Sequence, residues 1–112
     1  MMNFREKLRK IKDERVKEYA PQAELILEEL IYAIKKLNNK KLFELNVIEM
    51  RTTKDSIIFK QETEYDNLYS YLAEKPEDSV YGIKEAILKI FAEESIEYQI
   101  NNKGGIITFY IS

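Results

Sequence analysis

One pattern occurs twice along this 112-residue chain and constrains its fold more than any other feature: a helix followed by two short strands. In the first occurrence, apolar residues recur at intervals of three and four between residues 22 and 38, which predicts one apolar face of a helix. These residues are Leu27, Leu30, Ile31, Ile34 and Leu37. Alternation over residues 42–50 and an apolar run at 56–60 then predict two strands, which the turn-like sequence TTKD joins as a hairpin.

The second occurrence begins near residue 79, where Asp78 or Ser79 can cap a helix. Its predicted core face consists of Val80, Ile83, Ile87, Ile90 and Phe91. Gly82 lies inside this helix at a cost of about 1 kcal/mol relative to alanine, so we expect another group to pack closely there. Residues 95–100 and 106–112 predict a second hairpin, and NNKGG between them supplies residues that tolerate positive φ.

The two units align at an offset of 53 residues, with Ala33 opposite Ala86 and Phe43 opposite Ile96. An internal duplication explains this match, and so does the periodicity that any two helix–hairpin units share. Either way, the simplest packing is a four-stranded antiparallel sheet with the helices on one face. The sequence therefore predicts an α+β fold of ααββααββ order.

The remaining segments complete a single domain over residues 1–112. We divide it into a basic N-terminal helix (1–20), a helix plus hairpin (21–60), an acidic tyrosine-rich helix or linker (61–78), and a second helix plus hairpin (79–112). The first helix has a narrow apolar stripe that includes Phe4, Leu8 and Ile11. Pro21 either starts the next helix or kinks one long helix.

Residues 61–82 contain four of the eight tyrosines and six acidic residues against one lysine. A spacing of 3, 1 and 3 places Tyr65, Leu68, Tyr69 and Leu72 on one helical face, which we expect to pack inward. Tyr71 lies about 200° around such a helix from Tyr69 and so would face an acidic, solvated surface. Tyrosine suits interfaces because its ring is apolar and its hydroxyl is polar.

The side-chain inventory argues against catalysis and against a cofactor. The chain has no histidine and no cysteine, which excludes imidazole bases, thiol nucleophiles and their metal sites. Three glycines cannot form the usual phosphate-binding fingerprints. Carboxylates near Arg51, such as Glu49 and Asp55, are the remaining route to an enzyme, but surface charge is the simpler interpretation. We therefore predict a non-enzymatic protein without cofactor or metal.

The chain shows no secretory leader and no apolar run of membrane-spanning length, which predicts a cytoplasmic protein. Its net charge of −2 is unevenly placed. Residues 1–41 carry 11 basic and 7 acidic residues, a balance of +4, whereas residues 61–78 carry one basic and six acidic residues, a balance of −5. Such asymmetry concerns partners rather than fold.

These observations favour a small protein-binding module, such as an inhibitor of the kind phages or mobile elements encode, an immunity protein or a regulator, whose partner presents a basic surface. The predicted partner-binding residues are Glu62, Glu64, Asp66, Tyr71, Glu74, Glu77 and Asp78. The alternative is nucleic-acid binding by the first helix through Arg5, Arg9, Lys10, Lys12, Arg15 and Lys17, with Tyr98, Phe109 and Tyr110 as stacking residues on the sheet. A homodimer is a further prediction, because the narrow stripe of the first helix and two open sheet edges lack partners.

Overall fold

The computed structural model describes residues 1–62, 66–101 and 104–111, and in these ranges it contains three helices and five strands. In chain order they are α1 (Phe4–Lys35), α2 (Asn39–Glu44), β1 (Val47–Thr52), β2 (Ser56–Gln61), β3 (Asn67–Leu72), α3 (Asp78–Glu93), β4 (Tyr98–Asn101) and β5 (Ile106–Tyr110).

The strands form one antiparallel sheet in the order β3-β2-β1-β5-β4. In the middle of the sheet, Met50 on β1 lies opposite Phe59 on β2 and Ile107 on β5. The α+β class is thus confirmed, but the sheet has five strands in the described residues where the sequence predicted four. The extra strand is β3, which extends the sheet beyond β2.

Both long helices cover the same face of the sheet. Alternate strand residues such as Ile48, Ile57 and Phe109 form one buried cluster with residues of α1 and α3. Phe91 of α3 packs on Phe109 with ring centroids 4.6 Å apart. The predicted core face of α3 is confirmed, because Val80, Ile83, Ile87 and Phe91 are buried and Ile90 is half-buried. The opposite face of the sheet has no helix over it in the described part of the chain.

Helix α1 is continuous through Pro21, so of the two alternatives the single long helix is correct. Its 32 residues correspond to a length of roughly 48 Å. Proline removes the hydrogen bond that its missing N–H would donate to the carbonyl of Lys17. Because Lys17 and Pro21 are both exposed, water can satisfy that carbonyl.

The chain after α1 differs from the predicted strand over residues 42–50. Asn38 Oδ1 accepts a hydrogen bond from Lys41 N at 2.8 Å and so caps the short helix α2. Phe43 therefore belongs to a helix and is 79% exposed, and β1 begins only at Val47. The hydrogen bond from the Asn38 side chain favours a helix here over the strand that the alternating apolar residues indicate. It does so because it satisfies a backbone N–H at the start of the helix.

The predicted helix within residues 61–75 is wrong: Asn67–Leu72 form strand β3. Tyr69 lies opposite Phe59 and Tyr71 lies opposite Ile57, so both tyrosines are on the core face of the sheet. Pairing with the edge of β2 favours β-prone tyrosines over the local helical spacing. Tyr65 lies outside the described residues.

The two helix–hairpin units occupy inequivalent places in the sheet. In the first unit the leading strand, β1, lies next to the other hairpin, whereas in the second unit the trailing strand, β5, does so. Helix α1 has 32 residues and α3 has 16. The arrangement therefore lacks the pseudo-symmetry expected of a duplicated unit. Both predicted hairpins are present, and Gly104 and Gly105 adopt positive φ values of 108° and 66° before β5.

Candidate protein-interaction surfaces

The N-terminal half of α1 projects from the body of the molecule. Residues 1–15, which we call the arm, are all exposed, and the half-buried positions of α1 begin at Val16. The molecule is accordingly elongated, with extents of 56 × 29 × 28 Å. Phe4, Leu8 and Ile11 share one face of the arm and are 76%, 44% and 57% exposed. The arm therefore presents an apolar stripe that no part of the described chain covers.

The charge of α1 changes sign along its length. Residues 1–17 contain seven basic and three acidic residues, whereas residues 18–34 contain four acidic residues and no basic one. At about 100° per residue, Lys7 and Lys12 flank the apolar stripe on its two sides. The predicted nucleic-acid residues Arg5, Arg9, Lys10, Lys12, Arg15 and Lys17 are all exposed on this N-terminal half. One of them, Arg15, forms an ion pair with Glu18 at 3.8 Å.

An apolar cavity of about 430 Å³ opens beside the C-terminal half of α1. We call it the groove. Leu27, Ile31 and Ile34 of α1 form one wall. Ile90 at the end of α3 and Ile96 before β4 form another, and its volume is within the range of about 300–1,000 Å³ typical of ligand pockets. Ile31 is 52% exposed, so the groove is open to a docking side chain.

Four glutamates border the groove, and we call them the rim: Glu24, Glu28, Glu93 and Glu94. All four are exposed. Within the described ranges none of them forms an ion pair. Glu24 and Glu28 are one helical turn apart on α1, and Glu93 and Glu94 lie at the end of α3. The groove thus combines an apolar floor with an exposed, negatively charged border.

The structure does not bring the predicted partner-binding residues together. Glu62 and Asp66 lie before β3, whereas Glu74, Glu77 and Asp78 follow it, so the two groups are separated by a six-residue strand, or about 17–20 Å. The five are exposed, and Glu64 lies outside the described residues. Three of them already have partners within the chain: Asp66 with Lys41 at 3.9 Å, Glu77 with Lys54 at 3.5 Å, and Asp78 with the Tyr19 hydroxyl at 3.5 Å.

Tyr71 was predicted to face solvent, and this orientation is wrong. Its side chain is half-buried and packs against the core cluster. Its neighbour in the strand pattern, Tyr69, stacks on Phe59 with ring centroids 6.4 Å apart. Burial, followed by the charges of Glu29 and Tyr71, raises the pKa of Tyr69. Both tyrosines therefore contribute mainly to the packing between β3 and α1.

The sheet does not offer the aromatic platform that the nucleic-acid alternative predicted. Phe109 is buried and Tyr98 packs against the core cluster, with its ring centroid 6.1 Å from that of Phe91. Tyr110 alone of the three alternates to the other face of the sheet, where it lies opposite Val47. Stacking requires exposed rings on one face, so the arm remains as the candidate surface for nucleic acid.

The described residues contain no group of three or more carboxylates close enough to hold a metal ion. Glu49 pairs with Arg51 at 3.5 Å on the uncovered face of the sheet, opposite Lys60. Among the described residues, no helix is both long and apolar enough to cross a membrane.

Comparisons with protein-family models, curated proteins and solved structures gave no significant match.

The groove is the feature that sequence reasoning missed. Part of its signal was present, since Leu27, Ile31 and Ile34 share one helical face and Glu24 and Glu28 lie beside them. The second wall comes from residues about 60 positions later in the chain, and periodicity carries no information on that proximity.

Proposed function

We propose that the protein is a non-catalytic protein-binding module whose groove receives a basic helix with an apolar stripe from a partner protein. The observation that carries the proposal is the groove itself, an open apolar cavity bordered by four exposed carboxylates that form no ion pair with any described residue. Apolar side chains of the partner would fill the cavity, and its lysines or arginines would lie against the rim.

This mode of recognition follows from the physics of helix-in-groove complexes. An amphipathic helix gains affinity by burying its apolar anchors, at about 25 cal/mol for each Å² removed from water. Charges at the border contribute association rate and specificity more than affinity. A negatively charged border therefore selects a basic partner. A module of this kind would act by occupying the surface of its partner, as an inhibitor, an immunity protein or a regulator does.

The chain contains no tryptophan, which provides a direct assay. A basic amphipathic helical peptide with one tryptophan on its apolar face is titrated with the full-length protein. Transfer of the indole into the groove should shift its emission to shorter wavelength without any background from the protein. Ile31→Lys, which places a cation on the exposed edge of the groove, should weaken binding at least tenfold, or by about 1.4 kcal/mol.

Two controls isolate the groove. Leu72 is 71% exposed on β3 and does not line the groove, so Leu72→Lys should bind the peptide as the unaltered protein does. A peptide with glutamate in place of its basic residues should not bind. Equal affinity for the basic and the acidic peptide, or unchanged affinity in Ile31→Lys, would contradict the proposal.

Nucleic-acid binding by the arm is a second candidate, because its basic side chains project together from the body. If the arm contacts phosphates, retention of DNA or RNA should fall steeply with salt, with a logarithmic slope of about −0.9 for each phosphate neutralised on duplex DNA. Arg9→Glu together with Lys12→Glu should reduce that slope. Absence of retention at low salt would rule this function out.

A further inference from the structure

We infer that the helix received by the groove is the arm of a second copy of this chain, so that two copies exchange arms and form a closed homodimer. This inference rests on the proposed function of the groove and names its occupant. In such a dimer each copy contributes one arm and one groove, and both apolar surfaces are buried at once.

The arm has the properties that the groove requires. Its stripe of Phe4, Leu8 and Ile11 is exposed, and Lys7 and Lys12 flank it on either side. The groove has the complementary order, with an apolar floor between carboxylates of α1 and of α3. The arm and the groove therefore match in two respects, with opposite charges at the border and apolar contact at the centre.

The arm cannot fill the groove of its own chain. Helix α1 is continuous from Phe4 to Lys35, and the two surfaces lie at its opposite ends. With a rise of about 1.5 Å per residue, Ile11 and Leu27 are roughly 24 Å apart along the same axis. A second copy related by a two-fold axis reverses the direction of α1 and brings basic half to acidic half.

The positions of the two surfaces around α1 also specify the geometry of the dimer. Ile11 and Leu27 are 16 positions apart, which is roughly 160° around a helix. Two helices packed side by side along their full length would use the same face throughout. The two α1 helices must therefore cross near their midpoints, with the two-fold axis at the crossing, so that each arm reaches the far side of the partner.

Sedimentation velocity of the full-length protein over a range of concentrations tests the inference. The unaltered protein should sediment as a dimer whose proportion falls on dilution. Leu8→Gln with Ile11→Gln in the arm, and Ile31→Lys in the groove, should each shift the equilibrium at least tenfold towards monomer. The arm residues are exposed, so circular dichroism and thermal unfolding should show an unchanged body. Leu72→Gln is the matched control and should leave the dimer intact.

A charge exchange makes the test specific for the pairing of arm with groove. One variant carries Lys7→Glu and Lys12→Glu in the arm, and the other carries Glu28→Lys and Glu94→Lys in the rim. In a homodimer of either variant, the arm and the rim would carry charges of the same sign. Each variant alone should therefore be mainly monomeric. Mixed together, the acidic arm meets the basic rim and the unaltered arm meets the unaltered rim, so a heterodimer should form.

The outcomes separate this inference from the proposed function. A monomer at every concentration up to about 1 mM, where a dimer would be weaker than about −4 kcal/mol, overturns the arm exchange. A dimer that the arm and groove variants leave unchanged also overturns it. If the protein is monomeric and Ile31→Lys still abolishes binding of the tryptophan peptide, the groove serves a different protein and only the second copy is excluded.

Discussion

The ring of Tyr19 on α1 lies directly against the backbone of Gly82 on α3. A Cβ at position 82 would be 2.8 Å from Tyr19 Cζ and closer still to Cδ2 and Cε2. Val80 and Ile83 beside the glycine are buried, so the two helices pack closely around this contact. The hydroxyl of Tyr19 also donates to Asp78 Oδ2 at 3.5 Å, at the first residue of α3. This contact fixes α3 to α1 at the point where the arm leaves the body.

Substitution of Gly82 by alanine should destabilise the protein although alanine is the better helix former. The methyl group would displace the Tyr19 ring, and such overpacking costs about 1–3 kcal/mol. In a Tyr19→Ala background the space is open, and the same substitution should stabilise by up to about 1 kcal/mol through helix propensity. Urea unfolding of the four proteins in this cycle measures the change of sign. A destabilisation of equal size in both backgrounds would show that Tyr19 is not the cause.

Pro21→Ala should stabilise the protein, because α1 continues through the proline. Proline costs about 3 kcal/mol in a helix interior relative to alanine, and part of this is offset by the entropy it removes from the unfolded chain, about 0.4–1 kcal/mol. A gain of about 2 kcal/mol is therefore expected in urea unfolding. Amide hydrogen exchange around Lys17 should also slow. If α1 were two helices that meet at Pro21, alanine there would gain little.

The sequence predicts this fold best where local and tertiary preferences agree. The spacing of Val80, Ile83 and Phe91 indicates both a helix and its buried face, and the structure confirms both. Residues 67–72 show the opposite case. Their apolar spacing fits a helix and a strand equally well in a short segment. The open edge of β2 decides between them, and that edge exists only after the hairpin has formed.

The candidate site was less predictable than the fold for a related reason. The stripe of the arm and the clustered charges of α1 are properties of one segment and can be found by inspection. The groove depends on how Ile90 and Ile96 lie beside Leu27 and Ile31, which the sequence does not specify. Residues 61–78 stand out in the sequence by their acidic composition, but strand β3 separates their charged side chains into two groups.

Alanine substitutions at Tyr71 and Leu72 distinguish the strand from the helix. In the strand, Tyr71 packs against the core and Leu72 is 71% exposed on the other face. Tyr71→Ala should therefore cost about 1–3 kcal/mol, whereas Leu72→Ala should change stability by no more than about 0.5 kcal/mol. In a helix of residues 61–75 the order would be reversed, because Leu72 would share the inward face. Chemical denaturation of the two variants gives the order directly.

Tyr69 should make stability depend on pH in the alkaline range. Its pKa is raised above the ordinary tyrosine value of 10.0 by burial and by the charges of Glu29 and Tyr71, so the folded protein holds this proton more tightly than the unfolded chain does. The associated stability is fully present below about pH 10 and is lost as the pH rises through the folded pKa. In Tyr69→Phe the side chain at position 69 cannot ionise. The urea midpoint of this variant should therefore fall less between about pH 8 and pH 11 than that of the unaltered protein. Tyr69→Phe leaves the other seven of the eight tyrosines in place, so the two proteins differ in one phenol group alone. An equal fall in both would show that ionisation of Tyr69 is not coupled to unfolding.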